Sequence, residues 1–249
     1  MTTGIAASRS QRLVVVDLAR GIAIAMMVVF HFCFDLAMYR LAPFDFYRDP
    51  FWLHARTLIL SSFLLLVGIG LVLSTRRGID WRRFMRRLGR IVAGAAAVSV
   101  ATWWMFGSRF VFFGVLHFIA LASVLGLAFV RRPRLAAVLA TGAVLVGNLW
   151  EHPWFDQPGR RWLGLMTYKP ATEDYVPLLP WIGVVLAGIV LAHLLLRNDR
   201  LQRLDARLPL QARPLRVLAR AGRHSLGLYL LHQPVLIGLI ELWLRLGLA

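Results

Sequence analysis

The sequence predicts an all-α, polytopic membrane protein with about seven transmembrane helices. Its 249 residues are 59% hydrophobic, and the mean hydropathy of +0.65 is well above that of soluble domains. Several apolar runs approach 20 residues, which is about the length that a helix needs to cross the hydrocarbon core of a bilayer. The runs are continuous rather than alternating, and this pattern argues against a transmembrane β-barrel.

Seven apolar segments follow one another in a single predicted domain, 1–249. No internal repeat divides the chain into equal halves. Small residues in the sixth segment, Gly183 and Gly188, suit close contact between helices. The one cysteine, Cys33, allows no intrachain disulfide and no Cys-rich metal site. The seven segments are 15–38, 56–75, 89–106, 109–130, 134–150, 177–196 and 224–246.

The formal net charge of +17 is explained by where the arginines fall. Of the 29 Lys and Arg residues, 20 lie in the N-terminus and alternate connections, and seven lie in the remaining connections. This asymmetry predicts a cytoplasmic N-terminus and an extracytoplasmic loop 151–176. We interpret the basic loops as topology determinants and lipid head-group contacts rather than nucleic-acid sites. The basic stretch 198–220 is predicted to form an amphipathic surface helix, broken at Pro209 and Pro214.

Four ionisable residues share one face of the first predicted helix. At about 100° per residue, the four side chains fall within an arc of about 60° around the helix axis. Together they form a polar stripe that runs about 27 Å along this axis. Charged groups that face lipid are costly, so ionisable residues within a span usually face the bundle interior and mark a pathway or a site. The four residues are Asp17, Arg20, His31 and Asp35.

His31 and Asp35 are the predicted catalytic pair. They stand four residues apart, so their side chains can meet on one helix face. A carboxylate beside an imidazole fixes its tautomer and raises its basicity, as in a general-base dyad. The alternative is a buried polar pair that locks two helices together. Asp17 and Arg20 can form an ion pair, or Arg20 can bind the phosphate of a cytoplasmic donor.

Two further histidines lie inside other apolar segments. His117 and His232 each suit a satisfied interior histidine, but three helices with a mid-membrane histidine indicate a shared site. Tyr229 precedes His232 by three residues. No paired spacing such as HxxxH supports a metal site, so no metal is predicted. His54 and Arg56 begin the second segment, close to where the first should emerge, and are predicted substrate contacts.

The loop 151–176 combines two Trp, one Phe and two Tyr with carboxylates and basic residues. Aromatic faces with hydrogen-bonding neighbours suit a sugar-like acceptor. An aromatic belt at the membrane interface explains the same composition. Both interpretations stay open at the level of sequence.

Several motifs resemble those of integral-membrane acyltransferases. RGIAIAMMVVFH, with Arg20 and His31 at its ends, is similar to the first-helix signature of the group that O-acetylates bacterial surface polysaccharides. RHSLGLYLLHQPVL, with Tyr229 and His232, resembles the last-helix element of the same group. The fuller pattern is closer to the bacterial relatives of heparan-α-glucosaminide N-acetyltransferase, and it covers nearly the whole chain. That pattern is VDLARGIAI, HFCFDL, FLLLVGIGLVLS, FGVLHFIALAS and DYVPLLPWIGVVLAGI, which includes Trp181.

The resemblance implies an acetyltransferase of the bacterial cytoplasmic (inner) membrane. Acetyl-CoA would be a co-substrate, with no permanently bound cofactor, and the acetyl group would pass to an amino or hydroxyl group of an extracytoplasmic sugar or glycan. His31 is implied as base or acyl carrier, with Asp35 beside it. The chain is shorter than its relatives, which implies a homo-oligomer or a small acceptor. The predicted substrate-binding residues are Asp17, Arg20, His54, Arg56, His117, Trp181, Tyr229 and His232.

Two other functions fit a polar stripe in a membrane helix. In a proton-coupled transporter or flippase, the stripe would relay protons or bind an anionic solute, although the unequal halves argue against an inverted-repeat transporter. In a non-catalytic membrane partner of an envelope enzyme, the stripe would serve assembly only.

Overall fold

The structure, a computed structural model, describes residues 13–208 and 212–247. Within these ranges the chain forms nine α-helices joined by loops and short 3₁₀ turns, and its only β-structure is two isolated bridges. The helices are α1 (Val14–Met38), α2 (Pro50–Thr75), α3 (Trp81–Phe106), α4 (Val115–Leu127), α5 (Pro133–Leu149), α6 (Leu178–Leu196), α7 (Arg200–Ala206), α8 (Arg213–Arg223) and α9 (Ser225–Arg245).

The all-helical, multi-pass membrane class is confirmed, whereas helix lengths do not by themselves establish the predicted count of about seven spans. Five helices in the described chain are long and apolar enough to cross a membrane: α1, α2, α6, α9, and α3 with the turn that follows it. The helices α4 and α5 are apolar but have only 13 and 17 residues. Straight helices of that size extend about 20 and 26 Å, against a hydrocarbon core of about 30 Å.

Local capping explains where the helix boundaries differ from the prediction. The helix α3 begins at Trp81, inside the predicted basic loop, because the Asp80 carboxylate accepts a hydrogen bond of 3.0 Å from the Arg83 N–H. The helix α2 likewise begins six residues early, where Asp49 caps the Phe51 N–H at 2.8 Å. The first residues of the predicted segment 109–130 are not in an α-helix; they form an irregular stretch before α4. That stretch starts at Gly107, whose φ of +57° ends α3.

The apolar core lies where α6 packs against α2 and α5. Glycines make the close approach possible: a Cβ added to Gly68 would overlap the Val185 backbone oxygen, and one added to Gly188 would overlap the Leu65 oxygen. Gly183 faces α5 in the same way. The predicted use of Gly183 and Gly188 for close helix contact is therefore confirmed.

The basic stretch after α6, predicted as an amphipathic surface helix broken at Pro209 and Pro214, is helical in two pieces. It forms α7 and α8, and both pack against the N-terminal half of α1. The Asp205 carboxylate accepts a 2.6 Å hydrogen bond from the Val15 N–H and so caps α1 from another element. Where α8 crosses α1, Gly21 and Gly222 leave no space for a Cβ between the two backbones. Pro214 lies in the first turn of α8, and Pro209 lies outside the described residues.

Candidate active site

Two histidines from different helices meet where α1 contacts α9. The rings of His31 on α1 and His232 on α9 lie edge to face, with their centroids 4.8 Å apart. His31 Nδ1 lies 2.9 Å from the Met27 carbonyl, and His232 Nδ1 lies 2.6 Å from the Tyr229 carbonyl. A carbonyl only accepts, so each Nδ1 carries the hydrogen and each Nε2 presents a lone pair. The Nε2 of His232 is buried without a hydrogen-bond partner among the described residues.

The carboxylate of Asp35 lies one turn further along the same face of α1. Its side chain is fully buried, at 0% exposure, and Oδ1 accepts a hydrogen bond of 2.6 Å from Gln233 Nε2 on α9. The structure does not form the predicted dyad between His31 and Asp35. The imidazole donates to the Met27 carbonyl of its own helix, and the carboxylate accepts from Gln233 on α9. Asp35 Oδ2 and Gln233 Oε1 are buried without partners in the described chain.

At the other end of the stripe, Asp17 forms the centre of an ion-pair cluster. It is 1% exposed, and its two oxygens lie 3.4 Å from Arg20 Nη1 and 3.3 Å from Arg223 Nε on α8. The predicted ion pair with Arg20 is confirmed, and Arg223 joins it from α8, whose packing against α1 the sequence does not predict. We call this end of α1, with α7, α8 and the arginines of α3, the basic end.

A cavity of about 250 Å³ opens next to the basic end, between α1, α2, α3, α4 and α9. Arg20, Arg87 and Arg90 line one part of it, and Tyr229 lines another. Neither Arg87 nor Arg90 has an acidic partner among the described residues. The Tyr229 ring lies 5.8 Å from that of His232. Tyr229 therefore separates the cavity from the histidine pair, and neither histidine lines the cavity.

Asp174 connects two residues that line this cavity, Val115 and Tyr229. Its Oδ2 accepts a 2.8 Å hydrogen bond from the Val115 N–H, at the start of α4, and a longer one of 3.5 Å from the Tyr229 hydroxyl. Burial raises the pKa of the Asp174 carboxyl, although both hydrogen bonds act against the rise. The loop before α6 is thereby tied to α4 and α9 above the cavity.

His117 plays a different part from the other two interior histidines. The Ser99 hydroxyl donates to the Val111 carbonyl at 2.6 Å, so its oxygen accepts from His117 Nε2–H at 3.2 Å. The other ring nitrogen, Nδ1, accepts a 3.3 Å hydrogen bond from the Gly114 N–H. Both nitrogens are thus occupied in holding the start of α4 against α3.

The remaining predicted contacts do not converge on the histidine pair. His54 is exposed, and its Nδ1 donates to the Pro50 carbonyl at 2.6 Å; Arg56 is exposed beside it. Trp181 packs against the apolar core. In the loop 151–176, the central carbon of the Arg160 guanidinium lies 3.5 Å from the centroid of the Trp154 ring. No group of three or more metal-ligating side chains is found in the described part of the chain.

Four residues of the site were missed from the sequence: Arg87, Arg90, Asp174 and Gln233. The arginines were read as part of a basic loop, although Asp80 is a recognisable helix start that would have placed them on α3. Gln233 is a polar residue in an apolar span, directly after His232, which is a usable signal. Nothing local marks Asp174 as a partner of α4 and α9.

The comparisons with known proteins agree with the resemblance seen in the motifs. The family model described as heparan-α-glucosaminide N-acetyltransferase, catalytic, matches residues 12–234. The comparisons with curated proteins and with solved structures give no match. The matched range includes the histidine pair, Asp35, Gln233 and the arginine-lined cavity. By this match, the chain belongs to the heparan-α-glucosaminide N-acetyltransferase catalytic-domain family.

Proposed function

We propose that the protein is a membrane acetyltransferase that takes an acetyl group from cytoplasmic acetyl-CoA and passes it to an extracytoplasmic sugar or glycan. Membership of a family described by an N-acetyltransferase supports the reaction class. The basic end of α1 then faces the cytoplasm, in keeping with the excess of arginine in the loops on that side. A location in the bacterial inner membrane follows from the same resemblance.

The observation that carries the proposal is the cavity lined by Arg20, Arg87 and Arg90, with Tyr229 between it and the histidine pair. Coenzyme A is rich in phosphate, and guanidinium groups bind phosphate oxygens through paired N–H donors. Arg87 and Arg90 have no acidic partner in the described chain, so an anion would supply the missing counter-charge. Phosphates held there would direct the thioester along the cavity toward Tyr229 and the two imidazoles.

The histidine pair can act on the thioester in either of two ways. As a base, His31 Nε2 takes a proton from the acceptor; the acceptor attacks the thioester carbon, the C–S bond breaks and the thiolate gains a proton. As a carrier, the same lone pair attacks the thioester carbon, and the C–S bond breaks to release CoA. The acceptor then attacks the acetyl carbon of the acetylated imidazole, the N–acetyl bond breaks, and the acceptor's proton passes to the thiolate or to solvent. Both routes need the neutral ring with its hydrogen on Nδ1, and the Met27 carbonyl stabilises that tautomer.

Binding of acetyl-CoA to the purified full chain tests the proposal. In the double variant Arg87→Ala/Arg90→Ala, we expect the Kd to rise by about 100-fold, because two charge-assisted contacts of about 1.5 kcal/mol each are lost. Arg86→Ala is the matched control, since Arg86 is exposed on the same helix and does not line the cavity. Failure of the wild-type protein to bind acetyl-CoA, or equal Kd values in the double variant and the control, would refute the proposed donor site.

A further inference from the structure

Helix α8 presents a row of arginines on the face that points away from α1. At about 100° per residue, its four arginines fall within an arc of about 80°, and the row extends about 15 Å along the helix. All four are exposed. The opposite face carries Leu218 and Gly222, whose backbones lie against α1. The four residues of this arginine row are Arg213, Arg216, Arg220 and Arg223.

Most of the positive charge in the arginine row is not neutralised. Arg223 pairs with Asp17 at 3.3 Å. The other three arginines form no ion pair with an acidic side chain within residues 13–208 and 212–247. They are held along about 11 Å of one helix, so their charges repel one another. An anion that lies along the row would relieve this repulsion.

Two neighbouring spans place the arginine row at the surface of the membrane. The helix α8 ends at Arg223, and the apolar span α9 begins two residues later, at Ser225. The helix α8 also crosses the apolar span α1 at Asp17 and Gly21, near the start of that span. A basic helix fixed to the ends of two spans lies at the depth of the lipid head groups. The row is therefore within reach of lipid phosphates.

We propose that the arginine row of α8 is a binding site for an anionic phospholipid, whose phosphate lies along Arg213, Arg216 and Arg220. The proposal does not depend on the acetyltransferase function. Guanidinium groups bind phosphate oxygens through paired N–H donors. A zwitterionic lipid carries a cation beside its phosphate and so gains less from the row. General attraction between basic loops and an anionic membrane would not distinguish α8 from the other loops, whereas a row on one helix face does.

A nucleic acid is the other polyanion that a row of arginines fits. The helix α8 has no aromatic side chain on which a base could stack. The negative surface potential of the cytoplasmic leaflet also repels nucleic acid from a helix held at the head groups. These two features favour lipid as the occupant, and an oligonucleotide serves as the competing probe.

The test measures lipid binding to the purified, delipidated full chain in a neutral detergent. Phosphatidylglycerol and phosphatidylcholine with identical acyl chains are titrated separately, and the rise in Tm gives a Kd for each lipid. We expect the wild-type protein to bind phosphatidylglycerol about 100-fold more tightly, because each arginine near an anionic head group contributes about fivefold. The triple variant Arg213→Gln/Arg216→Gln/Arg220→Gln should bind both lipids equally.

The matched control removes the same charge from another connection. Arg131→Gln/Arg132→Gln/Arg134→Gln changes three exposed arginines around the start of α5, on the same predicted side of the membrane. We expect this control to keep the wild-type preference for phosphatidylglycerol. Lysine at positions 213, 216 and 220 keeps the charge of the row and should keep most of the preference.

The inference is supported if only the glutamine variant of the arginine row loses the preference for phosphatidylglycerol. It is overturned if the wild-type protein shows no preference, or if both glutamine variants lose it equally. It is also overturned if a single-stranded oligonucleotide raises the Tm through the row and phosphatidylglycerol does not. Should the triple glutamine variant fail to fold, Arg216→Gln decides: a fall of about fivefold in the preference supports the site, and an unchanged preference overturns it.

Discussion

Asp17 and Asp35 lie 18 residues apart on the same face of α1, and both are buried, yet their surroundings differ completely. Asp17 is held by two arginines, one from its own helix and one from α8. Asp35 has a single amide donor and one oxygen without a partner in the described chain. A satisfied buried charge fixes the position of a helix, whereas an unsatisfied one is available to a substrate.

The comparison teaches that the helix carrying an ionisable residue does not decide its role. Eighteen residues are five helical turns, so the sequence alone gives the two aspartates the same azimuth and the same burial. The helices packed against them differ: α8 brings Arg223 to Asp17, and α9 brings Gln233 to Asp35. Changes at each end should therefore affect different properties of the protein.

The largest expected effect is on the contact that closes the basic end. Leucine at Gly222 would drive a side chain into the Asp17 backbone, so Gly222→Leu should destabilise the fold by about 3 kcal/mol or more. The measurement is the fraction of monodisperse protein after extraction in detergent and mild heating. Gly89→Leu is the control, since a Cβ there meets nothing within 4 Å in the described chain. Equal behaviour of the two variants would contradict the close packing of α8 on α1.

Isosteric amides at the two aspartates should change stability in opposite directions. Asp17→Asn loses the negative charge between two partly exposed arginines, and we expect it to cost about 2 kcal/mol. Asp35→Asn should leave the Tm unchanged or raise it, because the new N–H can donate to Gln233 Oε1. Thermal unfolding of both variants in the same detergent measures the change in Tm that each substitution causes. A fall in Tm for Asp35→Asn as large as for Asp17→Asn would remove the distinction between the two ends.

The smallest expected effects are those of replacing the interior histidines His117 and His232, which differ in how many ring nitrogens have hydrogen-bond partners. Both nitrogens of His117 are bonded, so His117→Ala should lower stability by about 1–2 kcal/mol and leave the KM for both substrates unchanged. His232→Ala should lower stability less than His117→Ala and slow acetyl transfer, since only Nδ1 of His232 is bonded and its Nε2 is unpaired in the described chain. Thermal unfolding and steady-state kinetics on both variants provide the comparison, and a reversed pattern would show that hydrogen-bond satisfaction does not indicate role here.

Much of this architecture can be predicted from the sequence, because residues that face the interior of a membrane bundle recur with the period of the α-helix. The stripe of Asp17, Arg20, His31 and Asp35 follows from helical geometry and the cost of charge in lipid, and the structure places all four on α1. The tight α6 contacts follow from Gly183 and Gly188. The family follows from motif order along the chain, as the match to residues 12–234 confirms.

The partners of these residues could not be read from the sequence, because they lie about 200 positions away. Nothing near Asp35 indicates that Gln233, rather than His31, will bind it, and nothing near Asp17 indicates Arg223. The role of the cavity's arginines could not be predicted for a different reason. Arg87 and Arg90 belong to a basic run that topology alone explains, and only the arrangement of five helices around them reveals a pocket.

The central claim is that donor and acceptor meet at the histidine pair, and acetyl transfer in a single turnover tests it most directly. Purified protein is mixed with labelled acetyl-CoA and D-glucosamine, quenched in acid, and assayed for labelled product and for label on the protein. We expect His31→Ala to transfer at least about 100-fold more slowly than the wild-type protein, while binding acetyl-CoA with unchanged Kd. Transfer by His31→Ala at the wild-type rate would contradict the account.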